Sequence, residues 1–405
     1  MDRNMNPFAP GAGTNPPELV GRQDVLEKVQ ALLHRVKAGR FEKGLIITGL
    51  RGVGKTVLLN KVLELANVAG YRSLDIEVSG QEPFVQTLGL GLRSVLLGLS
   101  HKEKIEQEIG RGLGVLKNLL SGLNIKVSDV EFGMNAPSVP GVADSGTLTT
   151  DLPDFLETIG NIAKQKGTGV AILVDEMQDM DKTSLTALIM GMHRIQRRSL
   201  PVIFIGAGLP MTPGLMGDAR TYVERLFDFM NLGPLNQIHS AEAIEIPLKR
   251  VGVPIEREAL TEIYHETLGY PYFLQEWGYV VWNEEHGSKI TQSTVQRSAS
   301  LAIKKLDQSF FTVRLGRLTD TEKGYLQAMA LYENGECRSG TVAKNMGRKS
   351  VGQLSQVRDS LIDKGMVYSP KFGFVAFTVP QFEIFIRRNL PAEPEEETGR
   401  KNRRR

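Results

Sequence analysis

The sequence predicts an α/β protein built on a parallel sheet, with a helical region and a small domain behind it, and three observations carry this. Five short apolar runs, LIIT (45–48), SLDIEV (73–78), VAILVD (170–175), VIFIGA (202–207) and FDFMNL (227–232), read as buried strands. Helix-patterned stretches separate them, as parallel crossovers require. After residue 237 the pattern turns helical, and the last 70 or so ordered positions end in a turn between two apolar strands.

Taken in order, residues 1–17 are rich in Pro, Gly and Asn and predict a disordered arm. The α/β region follows over 18–237, opening with a helix around Glu27 to Val36. Phe84 to Leu99 reads as a helix. Residues 121–150 carry Gly, Pro and Ser and read as a hairpin or loop. Asp151 to Lys164 returns to helix, with Asp151 as its expected N-cap. Residues 238–317 predict a helical lid, broken at GYPYF (269–273) and given bulk by WGYVVW (277–282). In 318–390, helices at Asp320–Leu331, Ser339–Met346 and Val351–Lys364 precede a hairpin about Pro370-Lys-Phe-Gly373, the order of a winged helix-turn-helix domain. The acidic-then-basic stretch 391–405 predicts a disordered charged tail.

Composition narrows the function classes. The 405 residues allow two or three domains, and 41% hydrophobic with 23% charged residues is ordinary for a globular chain. No run of about 18 apolar residues predicts a membrane span, and the first residues lack a secretory core, so the expectation is a cytoplasmic protein without a membrane partner. A single cysteine, Cys337, excludes an internal disulfide, and six scattered histidines give no transition-metal cluster. Lys+Arg at 49 against Asp+Glu at 46 leaves a net charge of +3, too small to imply nucleic-acid binding by itself.

The chemistry is concentrated after the first strand. Gly49-Leu50-Arg51-Gly52-Val53-Gly54-Lys55-Thr56 matches the phosphate-binding loop: glycines turn the backbone so that N–H groups face phosphate oxygens, and the next helix adds its positive end. Lys55 is expected on the β- and γ-phosphates and Thr56 on Mg²⁺. VAILVDE supplies the acidic pair, Asp175 to orient Mg²⁺ and Glu176 to polarise the attacking water. Asp179 and Asp181 read as helix-start or solvated residues. With no guanine signature, ATP with Mg²⁺ is the expected ligand.

These motifs resemble the AAA+ and STAND ATPases, in particular the origin-recognition-type initiators and archaeal-type ATPases, over about 18–390. Glu18-Leu-Val20-Gly21-Arg22 is similar to the LVGR motif of that group, which borders the adenine. Gly269-Tyr-Pro271 is similar to the GxP motif of STAND lids, whose proline packs near the adenine. The resemblance implies an arginine that reaches a neighbour's nucleotide; Arg225 stands at that place, with Arg220 competing. It also implies a polar sensor ending the strand after the acidic pair, yet VIFIGAG ends in Gly206, Ala207 and Gly208. That departure, with no lid arginine evident, predicts slow or partner-stimulated hydrolysis in an ATP-controlled switch. Self-assembly or a protein partner is expected. A DNA contact through 338–372 is the further expectation, from Arg348, Lys349, Ser350, Gln353, Arg358 and Lys371. The competing readings are a non-hydrolysing, ATP-holding DNA regulator and an oligomerising accessory scaffold.

Overall fold

The computed structural model describes residues 1–11, 13–79, 82–99, 107–125, 138–332 and 335–390. The chain divides into two compact units, Met1–Ser298 and Ala299–Arg405. The expected charged tail lies outside the described residues, as do residues 126–137 of the stretch read as a hairpin or loop over 121–150.

In the first unit the five apolar runs become β1 (Gly44–Thr48), β2 (Tyr71–Glu77), β3 (Gly169–Asp175), β4 (Val202–Gly208) and β5 (Phe227–Asn231). They form one parallel sheet in the order β2-β3-β4-β1-β5. Alternation explains why the runs are apolar throughout: Ile46, Ile172, Val174 and Phe204 face one core, and Leu45, Ile47, Leu173 and Ile205 face the other. The helices that supply those cores are α1 (Gln23–Lys37), α2 (Lys55–Val68), α3 (Phe84–Gly98), α4 (Gln107–Gly122), α5 (Leu148–Gln165) and α6 (Lys182–Arg197). Two short helices, α7 (Thr212–Ala219) and α8 (Val223–Leu226), lead from β4 to β5. Because β1 and β3 both border β4, the loops leaving their carboxyl ends open onto the same place, where ligands bind in open α/β sheets.

Helix α5 starts one turn earlier than expected, so Asp151 is not its N-cap. Its buried carboxylate instead accepts from Ser145 N (3.1 Å), Ser145 Oγ (2.7 Å) and Gly146 N (2.9 Å), satisfying the turn that delivers the chain to the helix. Asp181 does cap its helix, accepting from Ser184 N at 2.9 Å.

Helices α9 (Gln237–Arg250), α10 (Arg257–Thr267), α11 (Pro271–Glu284) and α12 (Gln292–Leu306) follow, the last running across the division between the units. Trp277 and Trp282 are buried on α11. Composition predicts disorder for the N-terminal segment, but in the structure it is laid along α11. Phe8 is 3% exposed, and a Cβ on Gly278 would come within 2.7 Å of its ring. Asn6 Nδ2 donates to Tyr279 O and Asn283 Oδ1, both at 3.1 Å, Ala9 N donates to Gln275 Oε1 at 3.3 Å, and Trp282 Nε1 donates to Asp2 O at 2.9 Å. The anchor is one aromatic ring placed over a glycine, a long-range fit that composition cannot register. Phe8→Ala is therefore expected to destabilise the first unit by about 3 kcal/mol, read as a lower denaturation midpoint.

The second unit contains α13 (Asp320–Ala330), β6 (Glu336–Arg338), α14 (Ser339–Asn345), α15 (Ser355–Asp363), β7 (Val367–Tyr368), β8 (Phe374–Phe377) and α16 (Phe382–Asn389). The helix expected over 351–364 is split: Val351–Leu354 is a 3-10 turn and only the remainder is α-helical. β6 and α16 are additional, β6 completing an antiparallel sheet in the order β6-β8-β7. Phe311, Phe382 and Phe385 stack beneath it, with ring centroids 4.9 to 5.7 Å apart. Cys337 is buried, and burial pushes its thiol up to about 11, so it is held as the inert neutral form.

Glu322, the third residue of α13, closes a capping box with Thr319 and also accepts from Ser360 Oγ (2.7 Å) and Lys364 Nζ (2.7 and 2.8 Å). Burial favours its neutral form, but the bonds from Lys364, Thr319 and Ser360 outweigh that and hold the carboxyl at about 2. A pKa depressed by folding gives stability that is complete above the unfolded value and lost as pH falls through the folded one. Acid should thus weaken this unit between about pH 5 and 2, and Glu322→Gln should flatten that part of a melting-temperature profile.

Candidate nucleotide site

The loop between β1 and α2 is shaped by backbone that only glycine adopts without strain: Gly52 has φ +84° and Gly54 φ +92°. Gly49 answers to space instead, since a Cβ there would lie 2.4 Å from Leu232 O. The loop's first turn is tied to the neighbouring strands by Gly49 N to Gly208 O (3.2 Å) and Leu232 N to Thr48 O (2.6 Å). Val53 is buried and pins the loop to the core below, while Leu50 is half-buried.

Lys55 opens α2 almost fully buried, its ammonium donating to Gly49 O (3.0 Å) and Leu50 O (3.2 Å). Burial pushes its pKa down, against the opposing pull of Glu176 and Asp175. Thr56 Oγ1 donates to Asp175 Oδ2 at 2.6 Å across the gap between loop and β3. Asp175 also accepts from Glu176 N through Oδ1 at 2.8 Å. The hydroxyl and carboxylate that sequence assigns to Mg²⁺ are thus already adjacent, an oxygen pair of the kind this cation takes.

Glu176 sits in the left-handed region, φ +53°, an uncommon conformation for a residue with a side chain. Its Oε1 accepts from Arg51 Nη1 at 3.2 Å and its Oε2 from Gln178 Nε2 at 2.5 Å. Sequence reasoning placed Arg51 in the loop without this pairing and passed over Gln178. It also passed over Asp75, on β2 beside β3, whose carboxyl is raised by burial and by the charge of Asp175. Asp179 is raised by burial and by Glu176.

The remaining motif residues converge on the loop from outside. Arg22 precedes α1, and its buried guanidinium donates to Gly233 O (2.7 Å) and Val53 O (3.3 Å); burial brings it down to about 10. Val20 is buried, and Gly21, at φ +67°, packs so closely that a Cβ would meet the His239 ring at 2.9 Å. Pro271 is the first residue of α11. Just before it, Gly269 donates no side chain because a Cβ would fall 2.0 Å from Leu235 O. Just after it, Tyr272 N donates to Gly52 O at 3.2 Å, seating α11 on the phosphate loop. The N-terminal segment also reaches this place, since a Cβ on Gly13 would lie 3.5 Å from the Thr56 methyl.

Other residues are expected to act elsewhere than on this chain's own nucleotide. Arg225 is on α8 with its side chain 83% exposed, 3.7 Å from Glu224. Arg220 Nη2 lies 2.9 Å from Met190 Sδ. In the second unit Arg358 pairs with Asp359 (2.9 Å), and Lys371 pairs with Glu336 (3.1 Å) and lies 4.2 Å over the Phe374 ring. Lys349 N donates to Gln353 Oε1 at 3.0 Å, while Arg348 and Ser350 are exposed.

Residues 18–205 match the AAA ATPase domain family, and residues 308–386 match a domain of unknown function (DUF8462). Among solved structures, a Walker-type ATPase of Pyrococcus abyssi is similar with a TM-score of 0.55 at 13% identity, covering 91% of this chain and 96% of that one. The ORC2 protein of Aeropyrum pernix, solved in ADPNP–ADP complexes, is similar with a TM-score of 0.52 at 15% identity, covering 93% and 96%. No curated protein matches the chain. At such identities the shared property is the fold, and at that level the expected likeness to origin-recognition-type and archaeal ATPases holds. Among the described residues no helix is long and apolar enough to cross a membrane.

Proposed function

We propose that this chain, whose residues 18–205 match the AAA ATPase domain family, binds ATP with Mg²⁺ and hydrolyses it slowly as a molecular switch. The observation that carries the reading is the meeting of Thr56, Asp175 and the buried Lys55 at the ends of β1 and β3. Gly49 to Thr56 would wrap the phosphates with backbone N–H groups, and Lys55 would leave its two carbonyl partners for the β- and γ-phosphates. Thr56 and Asp175 are the residues that would hold Mg²⁺, which when bound neutralises charge on the phosphate oxygens. Glu176 would take a proton from the attacking water. Val20, Gly21, Arg22 and Pro271 would flank the adenine.

Slow turnover follows from how Glu176 is engaged. Both Glu176 oxygens already accept bonds, from Arg51 and from Gln178, which compete with a water for the carboxylate, and β4 ends without a side chain that could sense the γ-phosphate. We take 18–237 as the ATPase domain and 238–317 as a lid, whose α11 is seated on the loop through Tyr272 and Gly52. Binding energy realised only in the closed state would set the lid position. The second unit would be the output end. Two of the six side chains considered for DNA, Arg358 and Lys371, are spent on ion pairs, which favours a protein partner over DNA. Arg225, exposed and weakly paired, favours self-assembly in which it reaches a neighbour's nucleotide.

The test is phosphate release by the purified protein with Mg²⁺, with chelator, and with duplex DNA added. Slow Mg²⁺-dependent release, little changed by DNA, is the expected outcome. Release that persists in chelator would remove the assigned metal pair, and strong stimulation by DNA would restore the DNA reading.

A further inference from the structure

We propose that Gln178 is the positioning residue for Glu176, and that it stands in for the polar side chain missing from the end of β4. This rests on the reading that Glu176 polarises the attacking water. The Gln178 side chain bonds in both senses: Nε2 donates to Glu176 Oε2 at 2.5 Å and to Asp179 Oδ2 at 3.2 Å, and Oε1 accepts from Leu209 N at 2.9 Å. A carboxylate can only accept and a backbone amide can only donate, so the amide has a single orientation here. One planar group therefore fixes the Glu176 carboxylate relative to the backbone immediately beyond β4.

The small residues at the strand end fit this arrangement. A Cβ on Gly206 would lie 2.0 Å from Met177 Sδ, and one on Gly208 would lie 2.3 Å from Thr212 Oγ1 and 3.2 Å from Gln178 Oε1. The space a sensor side chain would use is thus taken by the segment that follows the acidic pair and by α7. Thr212 adds an independent sign of a rebuilt polar end: it is 1% exposed and its hydroxyl has no hydrogen-bond partner. In this chain a shift of the β4 end reaches Glu176 through Gln178, where a strand-borne side chain would have met the phosphate directly.

The experiment is single-turnover hydrolysis of ATP by the full chain, with ATP affinity and melting temperature measured alongside. It compares wild type, Glu176→Gln, Gln178→Met and Gln178→Glu. Methionine keeps the length and apolar contacts of Gln178 while losing all three bonds; glutamate keeps the acceptor for Leu209 and sets a like charge against Glu176 and Asp179. Both Gln178 variants should lose about tenfold in the chemical rate, with affinity within about twofold and melting temperature retained. An unchanged or faster rate in both, with Glu176→Gln inactive, overturns the positioning role and leaves the hydrolysis reading standing. Loss of affinity and melting temperature together overturns it as well, in favour of a purely structural glutamine. A Glu176→Gln rate equal to wild type overturns the reading of Glu176 itself and this inference with it.

Discussion

Glu176→Gln is expected to cut ATP turnover by about 100-fold or more while ATP affinity stays within a few-fold of wild type. The amide keeps the volume and one acceptor oxygen, so the bond from Arg51 survives. It has no basic oxygen with which to take a proton, and general-base losses of this size are usual. The proposed phosphate contacts, which would come from the loop backbone, Lys55 and Thr56, are untouched by the change. A rate constant from phosphate release and a dissociation constant from titration separate the two effects. If both move together, Glu176 acts on binding and the general-base role is wrong.

Lys55→Ala should act on the other quantity, weakening ATP binding by about 100-fold, which corresponds to about 2.7 kcal/mol. In the structure the ammonium is buried and satisfied only by the Gly49 and Leu50 carbonyls, with Asp175 and Glu176 supplying the nearby negative charge. It is therefore poised to exchange two neutral acceptors for charged phosphate oxygens, a gain of the charge-assisted kind. The methyl that replaces it leaves both carbonyls without that donor and offers phosphate nothing. An affinity within about threefold of wild type would show that the ammonium stays on the loop when nucleotide binds.

How much of this was legible in the sequence depended on the range of the information. The phosphate loop is encoded by neighbours in the chain, so Gly52, Gly54, Lys55 and Thr56 could be read directly, and the apolar runs gave the five strands because both faces of a parallel sheet are buried. The acidic pair was equally local. Its environment was not: Arg51 and Glu176 are 125 positions apart, and their ion pair exists only once β1 and β3 flank β4. Gln178 was overlooked because a glutamine two residues past an acidic pair has no pattern of its own; its partner Leu209 is 31 residues on. The N-terminal segment misled for the same reason, since Phe8 is fixed by Gly278 rather than by anything near it in sequence. Asp151 was misjudged by one helical turn, and β6 and α16 were too short or too charged to stand out from their surroundings.

The central claim is that the ends of β1 and β3 form one Mg²⁺-ATP site. Calorimetric titration of ATP into the purified chain, with and without Mg²⁺, beside Asp175→Asn, tests it most directly. The account predicts saturable binding to the wild type that Mg²⁺ strengthens, and a variant whose binding no longer responds to Mg²⁺. No binding by the wild type, or an equal Mg²⁺ response in the variant, would contradict it.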